Sequence, residues 1–350
     1  MSRKVFSLLA LALALVLAAV FLLLPAKTAR DGIGTRADLL PGLVTRVNDV
    51  DRMVVLGAGD RIEATINRDA DGWSVAELGA YPADLDTVRA VLAGLAQAEV
   101  IEQKTANPDY YSRLGVEDVS RPGATGRRLD LFAGEQEWSL IVGKEAPNRG
   151  GFYLRQADAT YSVLADFDEN IPKDPAGWVN RRVIDIVAGE VAEVKIVHPD
   201  GETLTAHKTS ADETDFTLLE LPEGRELVSA WSINSLGSAL STLDFESVEP
   251  QESGGSHDWE QAVNVHTVLF SGLKIDAQLL REEDGDFIKL QASAPFQAAE
   301  EENAELQTRV DDINRRVSDW IYRIPAFKAE AMLKRQEDLL RELESASGDG

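Results

Sequence analysis

The chain has 350 residues, with 35 basic and 60 acidic side chains, which gives a formal net charge of −25. Nucleic-acid binding relies on clustered lysine and arginine, so this acidic balance argues against a nucleic-acid partner. The chain contains no cysteine, which excludes disulfides, thiolate catalysis, cysteine-ligated zinc and a lipoprotein anchor. Apolar residues make up 44 % of the chain, which is typical of a folded protein, and its length suggests about two domains.

An apolar run near the N-terminus has the length of a membrane span. It extends from Val5 to Leu24 with a single polar member, a serine, and as a helix it covers a hydrocarbon core of roughly 30 Å. Arg3 and Lys4 precede it, so the N-terminus is expected in the cytoplasm and the bulk of the chain in the periplasm. We therefore predict a single-pass signal-anchor in a bacterial inner membrane, with membrane lipid as its partner. A cleaved signal peptide is the alternative, although such peptides have shorter apolar cores of about 7–15 residues.

The first exported unit is predicted to combine antiparallel strands with one helix. Alternating apolar residues indicate strands at 53–56, 61–66 and 73–76. Asp84 is typical of a helix N-cap, and apolar residues recur at helical spacing from Leu85 to Leu95. An extended segment follows at 100–101, then a short helix at 108–114 that ends at Gly115, and strands at 129–132, 138–142, 152–154 and 161–164.

A similar order of elements recurs from residue 191. Strands are predicted at 194–197, 203–207 and 216–219, a helix over 226–243, and further strands at 245–248, 263–270, 274–280 and 287–292. The predicted fold class is α+β, with an N-terminal transmembrane helix followed by two tandem, similar, mostly antiparallel sheet-plus-helix repeats and C-terminal helices. The predicted units are the anchor with its flanks at 1–30, a linker at 31–46, the first repeat at 47–186, the second repeat with the C-terminal helices at 187–345, and a disordered tail at 346–350.

The C-terminal part is predicted to dock on the second repeat. A charged helix over 298–317 is predicted, with a narrow apolar seam at alternating spacings of four and three from Leu306 to Trp320. A strand at 319–324 is expected to close the second sheet, and Pro325 to open a final helix. Trp320, Tyr322 and Phe327 form an aromatic cluster in the sequence; closure of the core is one interpretation, and a partner surface is the other.

No motif in the sequence indicates catalysis, a cofactor or a metal site. The four histidines lack metal-ligand spacing, although His207 and His266 would be neighbours if their strands pair. The runs 69–72 and 282–286 resemble fragments of calcium loops but are more typical of hairpin turns. Gly57-Ala58-Gly59 lacks the third glycine of a dinucleotide loop. The sequence therefore predicts no enzyme activity, no cofactor and no catalytic or metal-binding residue.

Two further groups of residues have ordinary structural interpretations. The pairs Arg127-Arg128 and Arg181-Arg182 are expected to form ion pairs with nearby carboxylates. The aromatic residues Trp73, Trp138, Tyr153 and Trp231 are expected to pack in the core.

Several blocks of sequence resemble a bacterial membrane-anchored family known as domain of unknown function 4340. They are VIEQKTANPDYYSRLGVED at 100–118, LIVGK at 140–144 with GFYLR at 151–155, WVNRRVIDI at 178–186, and WIYRIPAFKAEAML followed by EDLL. The resemblance extends over roughly residues 50–345. Some members of the family are encoded beside ABC-type export permeases, including gliding-motility auxiliary components. The resemblance therefore implies a periplasmic accessory subunit, and it supplies no functional residues to transfer.

These observations give three functional hypotheses. The first is a non-catalytic accessory or scaffold subunit of an ABC-type transport or envelope complex, with a permease or other envelope protein as partner. The second is a periplasmic module that binds a glycan or peptide in a cleft between the two repeats. An envelope enzyme is the third.

Overall fold

The computed structural model describes residues 37–147, 149–252, 257–295 and 300–342. The predicted anchor from Val5 to Leu24, residues 31–36 of the predicted linker and the predicted tail at 346–350 lie outside these residues. Among the helices described, none is both long enough and apolar enough to span a bilayer. The fold is α+β and contains several antiparallel sheets.

The strands follow the alternating apolar pattern closely. In chain order they are β1 (Arg52–Gly57), β2 (Arg61–Arg68), β3 (Trp73–Val75), β4 (Tyr81–Pro82), β5 (Val100–Gln103), β6 (Arg127–Ala133), β7 (Gln136–Glu145), β8 (Phe152–Gln156), β9 (Val163–Ala165), β10 (Arg182–Ile184), β11 (Val191–Val197), β12 (Thr203–His207), β13 (Thr217–Leu218), β14 (Arg225–Leu227), β15 (Leu243–Asp244), β16 (Ser247–Pro250), β17 (Val263–Leu269), β18 (Lys274–Glu282), β19 (Gly285–Ser293), β20 (Trp320–Ile324) and β21 (Leu340–Glu342).

The helices are short, apart from two. They are α1 (Leu43–Arg46), α2 (Leu85–Gln97), α3 (Tyr111–Leu114), α4 (Ala230–Gly237), α5 (Glu300–Val317), α6 (Ala326–Met332) and α7 (Gln336–Leu339). Asp84 caps α2 as predicted, because its side chain accepts a hydrogen bond from the backbone N–H of Asp86. Short 3-10 turns lie at Val47–Asp49, Ala76–Leu78, Pro108–Tyr110, Pro175–Trp178, Ala188–Glu190 and Trp259–Gln261.

Two large antiparallel sheets form in succession along the chain. The first has the strand order β4-β3-β2-β1-β6-β7-β8-β9-β5, and the second has the order β13-β12-β11-β17-β18-β19-β20-β16. In each sheet a meander, of four strands in the first (β1–β4) and three in the second (β11–β13), precedes a helix (α2 or α4). One strand then takes the far edge (β5 or β16), and a four-stranded meander joins the two groups. The pairs β10–β15 and β14–β21 form two small sheets.

The C-terminal helix α5 packs on the second sheet through its apolar seam. Leu306, Val310, Ile313 and Val317 are buried, as the sequence predicts. The amide of Asn314 fixes the helix to β19, because it donates to the carbonyl of Ala292 at 2.9 Å and accepts from the N–H of the same residue at 2.7 Å. The strand β20 then joins the sheet between β19 and β16, which confirms the predicted closure.

The two sheets meet edge to edge at β4 and β16. The ring of Tyr81 makes edge-on contacts with Phe245 and Trp320, at centroid distances of 5.3 and 4.8 Å. Gly79 adopts a left-handed φ of 66°, and a Cβ there would lie 2.6 Å from the ring of Pro250. Both edge strands end in proline, Pro82 and Pro250. Proline has no backbone N–H to extend a ladder, so the junction is made by side chains.

The structure differs from the sequence prediction in two helices. The helix predicted over 226–243 is confined to Ala230–Gly237, because Ser229 caps it by accepting from the N–H of Ser232. The preceding residues instead form β14, which pairs with β21. The final helix predicted after Pro325 stops at Met332, and Leu339 and Leu340 are buried from the separate elements α7 and β21.

Candidate functional site

Two of the sequence motifs meet at Arg155 on β8. The side chain of Arg155 is only 4 % exposed. Its guanidinium donates to the carbonyls of Val116, Ala157 and Ala159 at 2.9, 3.1 and 3.0 Å, and it pairs with the carboxylate of Asp118. The arginine of GFYLR therefore fastens the loop that ends the block at 100–118.

The motif at 140–144 supports the same loop from the neighbouring strand. Lys144 donates to the carbonyls of Ser112 and Arg113, both at 3.2 Å. A Cβ on Gly143 would lie 2.3 Å from the carbonyl oxygen of Leu114, so only glycine allows this close approach. Gly115 ends α3 in the left-handed conformation, with φ 73°. These residues specify the packing of α3 on the first sheet.

Glu117, which lies beside Asp118 in the same loop, has a buried oxygen with unused hydrogen-bonding capacity. Its Oε1 accepts from the backbone N–H and the hydroxyl of Thr125, at 3.0 and 3.1 Å. Its Oε2 is buried, and within the described residues it has no hydrogen-bond partner. Thr125 therefore holds the carboxylate in place through two donors, its backbone N–H and its hydroxyl.

The motif at 178–186 contains strand β10, which pairs with β15 in one of the small sheets. Arg182 pairs with Asp244 and with Asp185, the latter at 3.1 Å. Arg181 donates to the carbonyl of Phe245 through Nε and Nη2, at 2.8 and 2.6 Å. The predicted carboxylate partner of Arg181 is therefore wrong, because a backbone carbonyl takes that place.

The predicted ion pairs of Arg127 and Arg128 are confirmed. Arg127 contacts Glu63 at 2.9 Å, and Arg128 lies 3.1 Å from Asp130 and 3.4 Å from Asp60. Both positive charges are therefore paired with carboxylates, which leaves little to attract an anionic ligand there.

The three residues that the sequence suggested as a partner surface are separated by the fold. Tyr322 is completely buried, and its hydroxyl donates to the carbonyl of Arg316 at 2.7 Å. Burial, assisted by the neighbouring Tyr81, raises the pKa of Tyr322 far above its usual range. Trp320 is half-buried against Tyr81. Tyr322 is therefore a core residue, in agreement with the core-closure interpretation, and it is not available as a partner surface in this conformation, whereas Phe327 is 69 % exposed.

Trp231 is the most exposed large apolar side chain among the described residues, at 78 %. The predicted core position is wrong because α4 begins only at Ala230, which turns Ile233 and Leu236 inward and Trp231 outward. The ammonium of Lys334 lies 5.7 Å from the indole centroid and donates to the carbonyl of Ser232 at 2.9 Å. Trp138 is buried as predicted, and Trp73 and Tyr153 are half-buried.

Other exposed apolar residues lie in segments that are hydrogen-bonded to α7, near the C-terminal end of the described chain. Leu219, Leu221 and Val228 are all about half-exposed. Gln336 donates to the carbonyl of Glu220 at 2.9 Å, and the N–H of Val228 donates to the carbonyl of Leu339 at 2.8 Å. We call Leu219, Leu221, Val228, Trp231 and Phe327 the C-terminal apolar residues. Large aromatic side chains such as Trp231 and Phe327 are common at the energetic centre of protein–protein interfaces.

The histidines do not come together as metal ligands. His207 on β12 and His266 on β17 lie on opposite sides of β11, facing Glu193 and Lys195 respectively, so the juxtaposition considered from the sequence does not occur. His257 lies between Glu282 and Glu249, at 2.9 and 2.6 Å. In the part of the chain that the structure describes, no three potential ligands are grouped to hold a metal ion.

The two acidic runs form turns. Asp69 accepts hydrogen bonds from the N–H groups of Asp71 and Gly72, at 2.9 and 3.2 Å. In the second run, Glu282 pairs with Gly285 across the hairpin, and Asp286 is bound by the guanidinium of Arg281 at 2.6 Å. The carboxylates thus stabilise turns and strands, in agreement with the interpretation that the sequence favoured.

A protein-family comparison matches residues 73–259 to a domain of unknown function, DUF4340. This match covers more than half of the chain. The chain belongs to the DUF4340 family. No curated protein matches, and no solved structure matches.

The DUF4340 match begins at β3 and ends at the 3-10 turn that precedes β17. It therefore includes parts of both large sheets, and three of the four resemblance blocks lie within it. The fourth block, which forms β20 and α6, lies outside the matched range. Within the matched blocks, Arg155, Lys144 and Arg181 all donate to backbone carbonyls, so these motif residues maintain the fold.

Proposed function

We propose that this DUF4340 protein is a membrane-anchored, non-catalytic accessory subunit of a transport or envelope complex. In this proposal the segment from Val5 to Leu24 spans the inner membrane, and the two-sheet body lies in the periplasm. The anchor confines the body near its partner and so raises the effective concentration of the docking surface. An ABC-type permease is the proposed partner, in line with the family resemblance.

The observation that carries the proposal is the exposure of the C-terminal apolar residues. Trp231 and Phe327 are 78 % and 69 % exposed. Large aromatic side chains contribute strongly to binding energy when a partner covers them. The motif residues, in contrast, are used within the fold, which favours a docking role over a chemical one.

The shared strand order of the two large sheets supports an internal repeat as part of this proposal. In both sheets the first strand of the opening meander (β1 or β11) pairs with the first strand of the closing meander (β6 or β17). In both, the strand at the far edge (β5 or β16) pairs with the last strand of the closing meander (β9 or β20). We infer that residues 47–186 and 187–345 arose from one ancestral unit.

The ligand-binding alternative placed a glycan or peptide between the repeats. Where the sheets meet, Tyr81 packs against Phe245 and Trp320, and Gly79 packs against Pro250. This junction is filled by side chains, so the observations favour the accessory role over a cleft at that position.

The test is co-purification of the full chain with an ABC-type permease from the native membrane, identified by mass spectrometry. Replacing both Trp231 and Phe327 by serine is expected to abolish the permease signal, whereas Tyr161→Ser, at an aromatic side chain 45 % exposed, should leave it unchanged. Equal recovery of the permease by the double variant would refute the docking role. Phosphatase fused after residue 45 should be active in the periplasm, and an inactive fusion would refute the proposed topology.

A further inference from the structure

A groove of about 700 Å³ runs along the outer side of α2, close to the first described residues of the chain. Its apolar lining includes Val44 on α1, Trp73 on β3, and Leu85 and Leu92 on α2. Val44 and Leu85 are exposed, whereas Val88 and Leu92, which also line the groove, are buried in the core of the first sheet. The groove therefore lies at the margin of the core-facing stripe of α2, where the described residues leave Val44 and Leu85 uncovered.

Two arginines give this groove a positive charge. Arg68 and Arg89 are both part of the lining, which includes no aspartate or glutamate. Arg68 donates to the carbonyl of Asn48 at 2.9 Å, and its guanidinium lies 5.5 Å from the centroid of the Trp73 ring. Across the ranges that the structure describes, neither arginine forms an ion pair, in a chain whose net charge is −25. The groove is therefore a cationic, apolar site on an acidic protein.

We propose that the groove binds an anionic phospholipid. The two guanidinium groups suit a phosphate headgroup, to which arginine donates charge-assisted hydrogen bonds, and the apolar floor suits an acyl chain. The chain's own segment at 25–36 fits less well, because it carries three basic residues and one acidic residue. Charge complementarity therefore favours an anionic lipid over the chain's own segment at 25–36 as the occupant of the groove.

The position of the groove in the chain agrees with this occupant. Residues 25–36 separate the proposed membrane span from the described chain and reach at most about 40 Å when fully extended. This step rests on the proposed anchor, which keeps the groove within reach of the lipid surface. Because the remainder of the body is repelled by anionic headgroups, a lipid in this groove would orient the α2 side of the body toward the membrane.

The experiment uses the full chain reconstituted in phosphatidylcholine nanodiscs, with phosphatidylglycerol brominated on its acyl chain as the probe. Bromine in the groove is expected to quench the fluorescence of Trp73, so the quenching should be lost in Trp73→Phe. The double variant Arg68→Gln/Arg89→Gln should weaken the binding at least tenfold, since each charge-assisted bond contributes about one decade of affinity. Arg341→Gln, at an exposed arginine on β21, is the matched control and should bind as the wild type does.

Three results would overturn the proposal. They are equal quenching by brominated phosphatidylcholine, full quenching in the double arginine variant, and a bound acidic peptide that phosphatidylglycerol cannot displace. A chain that fails to insert into the discs would refute the anchor alone. The groove would then be titrated in solution with dihexanoyl phosphatidylglycerol, with dihexanoyl phosphatidylcholine and inorganic phosphate as controls. Weaker binding of the first lipid by the double arginine variant would still support the site, and unchanged binding would reject it.

Discussion

Replacing Tyr81 by alanine should weaken the junction between the two large sheets. The ring is 6 % exposed and contacts Phe245, Trp320 and Tyr322 at centroid distances of 5.3, 4.8 and 6.2 Å. Truncation of a buried aromatic side chain costs about 3–5 kcal/mol, which is a large part of a total stability of about 5–15 kcal/mol. Because Tyr81 is the aromatic residue that β4 contributes to the junction, the loss should also reduce the coupling between the sheets.

The assay is urea denaturation of the full chain in detergent, followed by tryptophan fluorescence and by far-ultraviolet circular dichroism. The wild type should unfold in one coincident transition, and Tyr81→Ala should unfold earlier, with transitions that separate between the two signals. Tyr161→Ala removes an exposed ring of the same kind and should change the free energy of unfolding by about 0.5 kcal/mol or less. A loss below about 1 kcal/mol for Tyr81→Ala would refute the importance assigned to this contact.

Three other predictions concern buried polar groups. Arg155→Met should lower the free energy of unfolding by about 3–5 kcal/mol, because it leaves buried carbonyls without a donor. Arg149→Met, at an exposed ion pair, is the control and should lower it by about 1 kcal/mol or less. Equal losses for the two variants in urea denaturation would refute the role of Arg155. Burial lowers the pKa of His257, but the hydrogen bonds that its ring donates to Glu249 and Glu282 outweigh burial and raise the pKa overall. The contribution of His257 to stability is therefore complete below about pH 6.5 and is lost as the pH rises through the folded-state pKa. NMR titration should show a midpoint that falls in Glu282→Gln, and an unchanged midpoint would contradict this assignment. Burial raises the pKa of Tyr322, so the stability of the fold should fall above about pH 10, where the tyrosine of the unfolded chain ionises. The melting temperatures at pH 9 and pH 11 should differ less in Tyr322→Phe than in the wild type. An equal difference in the two proteins would refute this role of Tyr322.

Local pattern was enough to predict most of the strands and α2. The strand β12 coincides with the alternating run at 203–207, and α2 begins after Asp84, as its cap and apolar stripe predict. These features depend on neighbours within a few residues, so a single sequence contains the necessary information. The seam of α5 was predictable for the same reason.

Contacts between distant residues were not predictable in this way. Residues 225–227 pair with 340–342, a partner more than one hundred residues away, and this pairing shortens the predicted helix and moves Trp231 to the surface. The positions of His207 and His266 depended on β11 lying between their strands, which periodicity does not reveal. For the same reason, Tyr322 was suggested as a partner residue, although it is enclosed by aromatic rings from β4 and from the segment before β16.

The prolines at the ends of β4 and β16 have a further consequence for how this protein can change. No backbone ladder crosses from one sheet to the other at these prolines. The strength with which the two sheets are attached therefore depends on a few aromatic rings, and a single substitution can alter each of them. Substitutions at these rings should therefore make the body stiffer or more pliable while every ladder within each sheet stays intact. If the chain is anchored as proposed, a force transmitted from the anchor toward the C-terminal elements should act first on the junction of β4 and β16.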